Sequence, residues 1–336
     1  MRNKGFWKLV RGIKIKNLWE TVQKVSKRSG KPKIFLLADI LFCGAFYGAG
    51  YQDYWLYEFE NLTRAQRKTY VTRNFNNRIV RLMNPQEVRE KFSNKGAFNR
   101  KYQDLLGRDF LDLLICDEET FSNFCKKHRI FAAKLPQGSC GKGFERVEVS
   151  EETDLSALMA RLKAEGKTIV EEYLFQHKAL ADIYPNSINT VRIATLNQND
   201  EIKTIYAFLR IGNSGHLVDN VNSGGMCAPV DLETGTVTAC ACDKEGKVYQ
   251  CHPVTGAKIL GAKIPYWKEC LNLCIKAADR TPDLGYIGWD VCVTENGPVL
   301  VEGNEFPGHD LLQLPAHRPD GTGIKPMFLS LIPQLK

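Results

Sequence analysis

Up to about residue 110 the apolar positions recur at helical intervals, and beyond it they gather into short runs divided by glycine turns. In the opening stretch MRNKGFWKLVRGIKIKNLWETVQKV, Phe6, Trp7, Leu9, Val10, Ile13, Leu18, Trp19 and Val22 fall among basic residues at roughly helical spacing, which predicts an amphipathic helix. Its apolar stripe has two uses, lying in a membrane interface or packing on the body. From Ile34 to Tyr51 the chain is apolar but for Asp39 and three glycines. A spanning helix needs about 20 nearly uncharged residues, so this segment predicts a buried or membrane-dipping helix. From Leu56 to Asp112 the pattern is polar and helical, with two helices joined near Asn84-Pro85, where Pro85 suits a first turn. The later runs RIFAAKL, TIVEEYL, TVRIATL, IKTIYAFLRI and WDVCVTENGPVLVEGN read as strands of a sheet-rich α+β region.

Composition narrows the class. A chain of 336 residues, 43% hydrophobic and 25% charged, has the apolar matter for two or three packed layers. The net charge of +8 is concentrated, because residues 1–33 hold eleven Lys/Arg against a single acid, Glu20. The rest of the chain is near neutral, so a polyanion footprint over the whole surface is not expected, nor is a nucleic-acid partner. Eleven cysteines without regular spacing, and no cleavable signal, predict the reducing cytoplasm. The tightest cluster, Cys240, Cys242, Cys251 and His252, matches neither zinc spacing and reads as shielded thiols.

Two segments carry chemistry. In FAAKLPQGSCGKGFERVEV, Lys134 ends a strand, and Gly138, Gly141 and Gly143 frame a turn holding Ser139, Cys140 and Lys142. Glycines let backbone N–H groups approach phosphate oxygens, and two lysines add charge. A plain glycine hairpin would look the same. It is not a Walker loop, since no Lys-Ser/Thr pair and no helix follow. In GWDVCVTENGPVLVEGNEFPG, Glu302 and Asn304 share one strand face, and the turn at 295–298 makes a hairpin that brings Asp290 opposite them. Two carboxylates and an amide oxygen suit Mg²⁺ carried on phosphates. The alternative is an exposed polar hairpin, but Glu302 lies in an apolar strand where an unpaired carboxylate is costly.

With these residues the stretch from about Asn94 to Gly308 resembles the ATP-grasp superfamily. The phrases NSINTVRIATL, NSGGMCAPVDLETG and HPVTGAKILGAKIPYW resemble its sugar-transfer-associated branch, which is found beside surface-polysaccharide genes. The resemblance implies an α+β fold of two subdomains clasping ATP. Its expected division is a basic arm over 1–33, a mostly helical domain over 34–112, a small subdomain over 113–180 and a large one over 181–336. It implies that Lys95 and Lys134 contact the nucleotide phosphates and that the loop Gly138 to Gly143 folds over them. Glu171, with the backbone of Glu172, Tyr173 and Leu174, would grip the adenine. Asp290, Glu302 and Asn304 match the magnesium ligands, and Arg192 resembles the arginine that steadies the transferred phosphate. In place of the family's ribose carboxylate, EEYLFQHKALAD offers His177, Lys178 or Asp182.

The implied function is an ATP-dependent carboxylate–amine ligase working through an acyl-phosphate, with ATP and Mg²⁺, on a small-molecule or lipid-linked surface-glycan precursor. The basic arm would hold it at the inner face of the membrane. Phosphoryl transfer to a hydroxyl uses the same groups, so a kinase on this scaffold is an alternative. A non-catalytic nucleotide-binding scaffold is another, disfavoured because it has no need of three metal-ready oxygens.

Overall fold

A computed structural model describes residues 15–336 apart from 139, 140, 142, 199, 200, 214 and 216. The first part of the basic arm, residues 1–14, therefore lies outside the described residues, as do Ser139, Cys140 and Lys142. The chain divides into two compact units, residues 1–82 with 308–336, and residues 83–307.

The first unit is helical. Helix α1 (Ile15–Ser29) and helix α2 (Lys33–Tyr47) pack together, with Leu18, Val22 and Val25 of the former buried beside Leu36, Ile40 and Cys43 of the latter. In this described part, Leu18 and Val22 of the stripe read from the arm pack on their own unit, while Trp19 is exposed. Helices α3 (Tyr51–Leu56) and α4 (Arg64–Arg67) follow. Asp39, the charge that interrupts the apolar run, is held by both terminal nitrogens of Arg67 at 2.8 and 2.9 Å and by the Tyr54 hydroxyl at 2.6 Å. Pairing lets the carboxylate sit against a hydrophobic core. Among the described residues no helix is long and apolar enough to cross a membrane.

The two long helices expected over 62–107 are each broken. After α4 the chain restarts as α5 (Arg73–Met83), then α6 (Gln86–Phe92) and α7 (Lys95–Lys101). Asn94 causes the last break, because its side chain accepts the Ala97 N–H at 2.9 Å and so caps a new helix.

The second unit holds two sheets. The small one, ordered β1-β4-β2-β3, comprises β1 (Phe110–Asp112), β2 (Ile130–Lys134), β3 (Glu145–Glu148) and β4 (Ile169–Glu172). Helices α8 (Glu118–Lys127) and α9 (Leu155–Ala164) supply Phe121, Phe124, Met159 and Leu162 to its core, where Phe131 and Val170 point. A short helix α10 (Lys178–Ala181) leads to the large antiparallel sheet, ordered β11-β10-β5-β6-β7-β8-β9. Its strands are β5 (Val191–Gln198), β6 (Glu201–Ile211), β7 (Met226–Val230), β8 (Ala241–Cys242), β9 (Val248–Tyr249), β10 (Tyr286–Thr294) and β11 (Gly297–Asn304). Helix α11 (Trp267–Asp279) buries Leu273, Cys274 and Ala277 in the same core as Ile193, Leu209 and Val291. The chain then ends in the first unit with α12 (Lys325–Leu331). Each apolar run read as a strand is a strand.

Candidate functional site

A cleft of about 1020 Å³, solvent mouth included, opens within the second unit. The small sheet lines it with Lys134 and Glu171, helix α7 with Lys95, the linking segments with Arg108, Gly138, Gly141, Tyr173 and Leu174, and the large sheet with Arg210, Asp290, Val301 and Glu302. Ten of the residues read from the sequence, Glu172 among them, thus line one space, though they come from segments about two hundred residues apart.

On the small-sheet side the centre is Glu171. Ala132 pairs with Glu171 across β2 and β4, which sets Lys134 near it at the end of β2. The Glu171 carboxylate accepts from Lys134 Nζ at 2.6 Å, Arg108 Nε at 2.9 Å and Asn99 Nδ2 at 2.7 Å. Burial opposes its charge, but Arg108 and Lys134 beside it hold the carboxyl well below the usual carboxylate range. Glu171 therefore positions Lys134, while Glu172, Tyr173 and Leu174 beyond it line the cleft. The Glu172 side chain accepts the Asp109 N–H at 3.1 Å. The Lys95 ammonium donates to the Gly138 carbonyl at 2.9 Å, and burial pushes its pKa down. Gly141 adopts φ +70, and a Cβ there would come within 2.8 Å of Val218 Cγ1, so Gly141 rests against Val218, which follows β6.

On the large-sheet side the expected hairpin forms, with Asp290 paired to Glu302 and Gly288 to Asn304. Directly opposed residues share a face of the sheet. Asp290 is buried and accepts from Arg192, whose NH2 lies at 2.8 Å, and from Arg210 NH1 at 2.7 Å. Arg210 also meets Asp219 at 2.8 Å, and Asp219 in turn accepts from the Thr190 N–H at 2.8 Å. Burial opposes the Asp290 charge, but the two guanidinium groups hold its carboxyl well below the usual range. Glu302 moves the other way, raised by desolvation and by Asp290 beside it, against the pull of Arg192, Arg210 and Lys95. Asn304 Nδ2 donates to the Gly288 carbonyl and to Glu302 Oε1, at 3.4 Å each, and its amide oxygen takes no part in those bonds. A crowded carboxylate pair with an adjacent amide oxygen is a hard-oxygen set that fits Mg²⁺.

The structure places Arg192 behind Asp290, with its guanidinium spent on that carboxylate, and of the two arginines that hold Asp290 the one lining the cleft is Arg210. His177 stands outside the cleft, where Nδ1 accepts the Ala179 N–H at 3.0 Å and Nε2 lies 3.5 Å from Glu295. Lys178 and Asp182 pair with each other at 2.7 Å on the surface. Gly143 is packed on Leu135 and is not among the lining residues. The thiols of the 240–251 cluster are not uniformly shielded, because Cys251 is exposed. His252 is buried, with Nε2 2.9 Å from the Gly212 carbonyl. Among the described residues the group of His, Cys, Asp and Glu close enough to share an ion is instead Asp109, His128 and Glu172, where Lys127 already pairs with Asp109 at 2.5 Å. Sequence reading missed Arg108, Arg210 and Asp219. Arg210 had a signal, since an arginine inside the apolar run AFLRI must be paired if that run is buried.

Comparison with known proteins bears on the fold and the family. The family model described as sugar-transfer associated ATP-grasp matches residues 131–326. No curated protein matches the chain. Among solved structures, the ATP-grasp ligase PsnB, complexed with minimal precursor, Mg and ADP, is 13% identical with a TM-score of 0.41, covering 75% of this chain and 62% of that one. D-alanyl-alanine synthetase A from Vibrio cholerae is 12% identical with a TM-score of 0.41, covering 74% and 61%. N5-carboxyaminoimidazole synthetase from Staphylococcus aureus, complexed with ADP, is 12% identical with a TM-score of 0.43, covering 67% and 47%. The chain thus spans less than two thirds of the length of each. With more than half of its residues matched, and with lysine, glycine-loop and hairpin segments around one cleft, the chain belongs to the sugar-transfer associated ATP-grasp family.

Proposed function

We propose that the cleft binds ATP with Mg²⁺ and that the protein is an ATP-dependent ligase, activating a carboxylate as an acyl-phosphate and joining it to an amine on a surface-polysaccharide precursor. The observation that carries this reading is the opposition of Lys95 and Lys134 on one wall to Asp290, Glu302 and Arg210 on the other. Asp290, Glu302 and Asn304 would hold the metal, which when bound neutralises phosphate charge and polarises the transferring group.

The chain's own groups do the rest. Lys95 and Lys134 pair with phosphate oxygens, and Glu171 fixes where Lys134 points. Arg210, held by Asp219 and Asp290, presents a fixed guanidinium to charge developing on the transferred phosphoryl group. The substrate carboxylate oxygen attacks the terminal phosphorus as ADP leaves. The amine then attacks the acyl carbon, loses a proton and expels phosphate. No side chain is required as a nucleophile.

The test is product mass. Purified protein is given ATP, Mg²⁺ and pools of amino acids, uronic acids and nucleotide sugars. ADP, free phosphate and a product one water lighter than its two substrates are expected. ADP with a product heavier by a phosphoryl group and no free phosphate would replace the ligase by a kinase.

A further inference from the structure

Past Lys33, every exposed position of helix α2 is apolar. Ile34 is 84% exposed, Phe46 70%, Phe35 56% and Leu41 42%, with Ala38 and Ala45 between them. The opposite side, Leu36, Ile40 and Cys43, is buried against α1. An amphipathic surface helix turns polar residues outward, whereas this one is apolar on both sides, and contiguous exposed apolar surface marks an interaction site.

Beside the stripe is a recess of about 620 Å³ with aromatic and basic walls. Phe42 and Phe46 stack at 4.4 Å along one side, and Arg64 lies over the Phe42 ring at 5.4 Å. Lys68 and Lys325 line it as well, and no carboxylate is among its lining residues. Arg67 also reaches the recess, but its charge is matched by Asp39. Arg64, Lys68 and Lys325 therefore converge with no acid among them, at the edge of an apolar helix face.

We infer that this face of α2 and the adjoining recess seat the protein on an anionic phospholipid surface, the stripe entering the acyl boundary and the recess taking lipid phosphate. Charge complementarity selects this occupant. A second copy docked face to face would bring two sets of the same cations together, and a neutral apolar partner would leave them unmatched. A leaflet of anionic lipid supplies acyl chains for Ile34, Phe35, Leu41 and Phe46 and phosphates for the three cations. The assignment concerns the first unit alone and does not depend on what the cleft binds.

The test is co-sedimentation of the full chain with vesicles of phosphatidylcholine alone and of phosphatidylcholine mixed with phosphatidylglycerol. Binding to the mixed vesicles only, weakening with salt, is expected. Lys68→Gln should lower the vesicle affinity about fivefold, and Phe46→Ser about tenfold or more, with the melting temperature and ATP turnover in solution unchanged. Should Phe46→Ser melt early, Arg64→Gln carries the same test without touching the stripe. Equal binding to both vesicle types, binding to neither, or binding that all three substitutions leave intact would overturn the inference. A dimer that Phe46→Ser dissociates would give the face to a second copy and overturn it too.

Discussion

The two walls of the cleft share one device and differ in its balance. Each holds a buried carboxylate between two cations, Glu171 between Arg108 and Lys134, and Asp290 between Arg192 and Arg210. Around Glu171 the further charges lining the cleft, among the described residues, are Lys95 and Glu172, so that wall carries three cations to two carboxylates. Around Asp290 stand Glu302 and Asp219, so that wall carries two cations to three carboxylates. A polyanion carrying a divalent cation matches both at once, its free oxygens toward the lysines and its metal toward Glu302. The clamped carboxylates fix geometry, and the surplus on each side is left for the ligand.

If the clamps are alike, removing either central carboxylate should be equally damaging. Glu171→Ala strands Arg108 and Lys134, Asp290→Ala strands Arg192 and leaves Arg210 with Asp219 alone, and each should destabilise the second unit by about 3–5 kcal/mol. Urea unfolding of the apo protein reads this directly. A much smaller loss at one site would show that its cations find water, and the likeness of the walls would fail there.

The walls were unequally legible. The Asp290–Glu302–Asn304 hairpin could be read because its partners are fourteen residues apart or fewer and a turn signal fixes their register. Strand positions were likewise readable from apolar runs. Arg108 and Glu171 belong together only through the pairing of β1 with β4, a contact between distant segments that no local pattern announces. The choice between Arg192 and Arg210 has the same origin. Both lie in apolar strands, and only the three-dimensional arrangement of β5, β6 and β10 decides which guanidinium lines the cleft. His177 failed to reach the cleft because α10 turns its ring toward Glu295. The helices expected over 62–107 are interrupted because Thr72 and Asn94, polar residues inside a helical pattern, act as caps.

A second substitution sharpens the difference between the walls. Glu302→Gln keeps the side chain's size and removes the surplus negative charge that Asp290 already disfavours. The apo protein should be no less stable, while turnover of ATP with Mg²⁺ should fall by about 10²–10³, and excess Mg²⁺ should recover part of it. Steady-state kinetics across a magnesium series checks this. Full turnover at ordinary magnesium would remove Glu302 from the metal set and leave the excess of carboxylates on that wall without a purpose.

The smallest expected effect lies where the walls touch. Gly141 meets Val218, and alanine at that position faces two obstacles, a left-handed backbone at φ +70 and a side chain 2.8 Å from Val218 Cγ1. The backbone strain alone is worth about 1–2 kcal/mol, so Gly141→Ala should weaken ATP binding about five- to thirtyfold as the loop lifts from its seat. Val218→Ala in the same chain removes the collision but leaves the strain. It should recover part of the affinity and never all of it, as titration calorimetry with ATP and Mg²⁺ would measure. Complete recovery would mean that contact between the walls, and not the loop's backbone, sets the affinity. No loss in Gly141→Ala would mean that the glycine loop does not close over the nucleotide, and the lysine-rich wall would have to hold the phosphates with Lys95 and Lys134 alone.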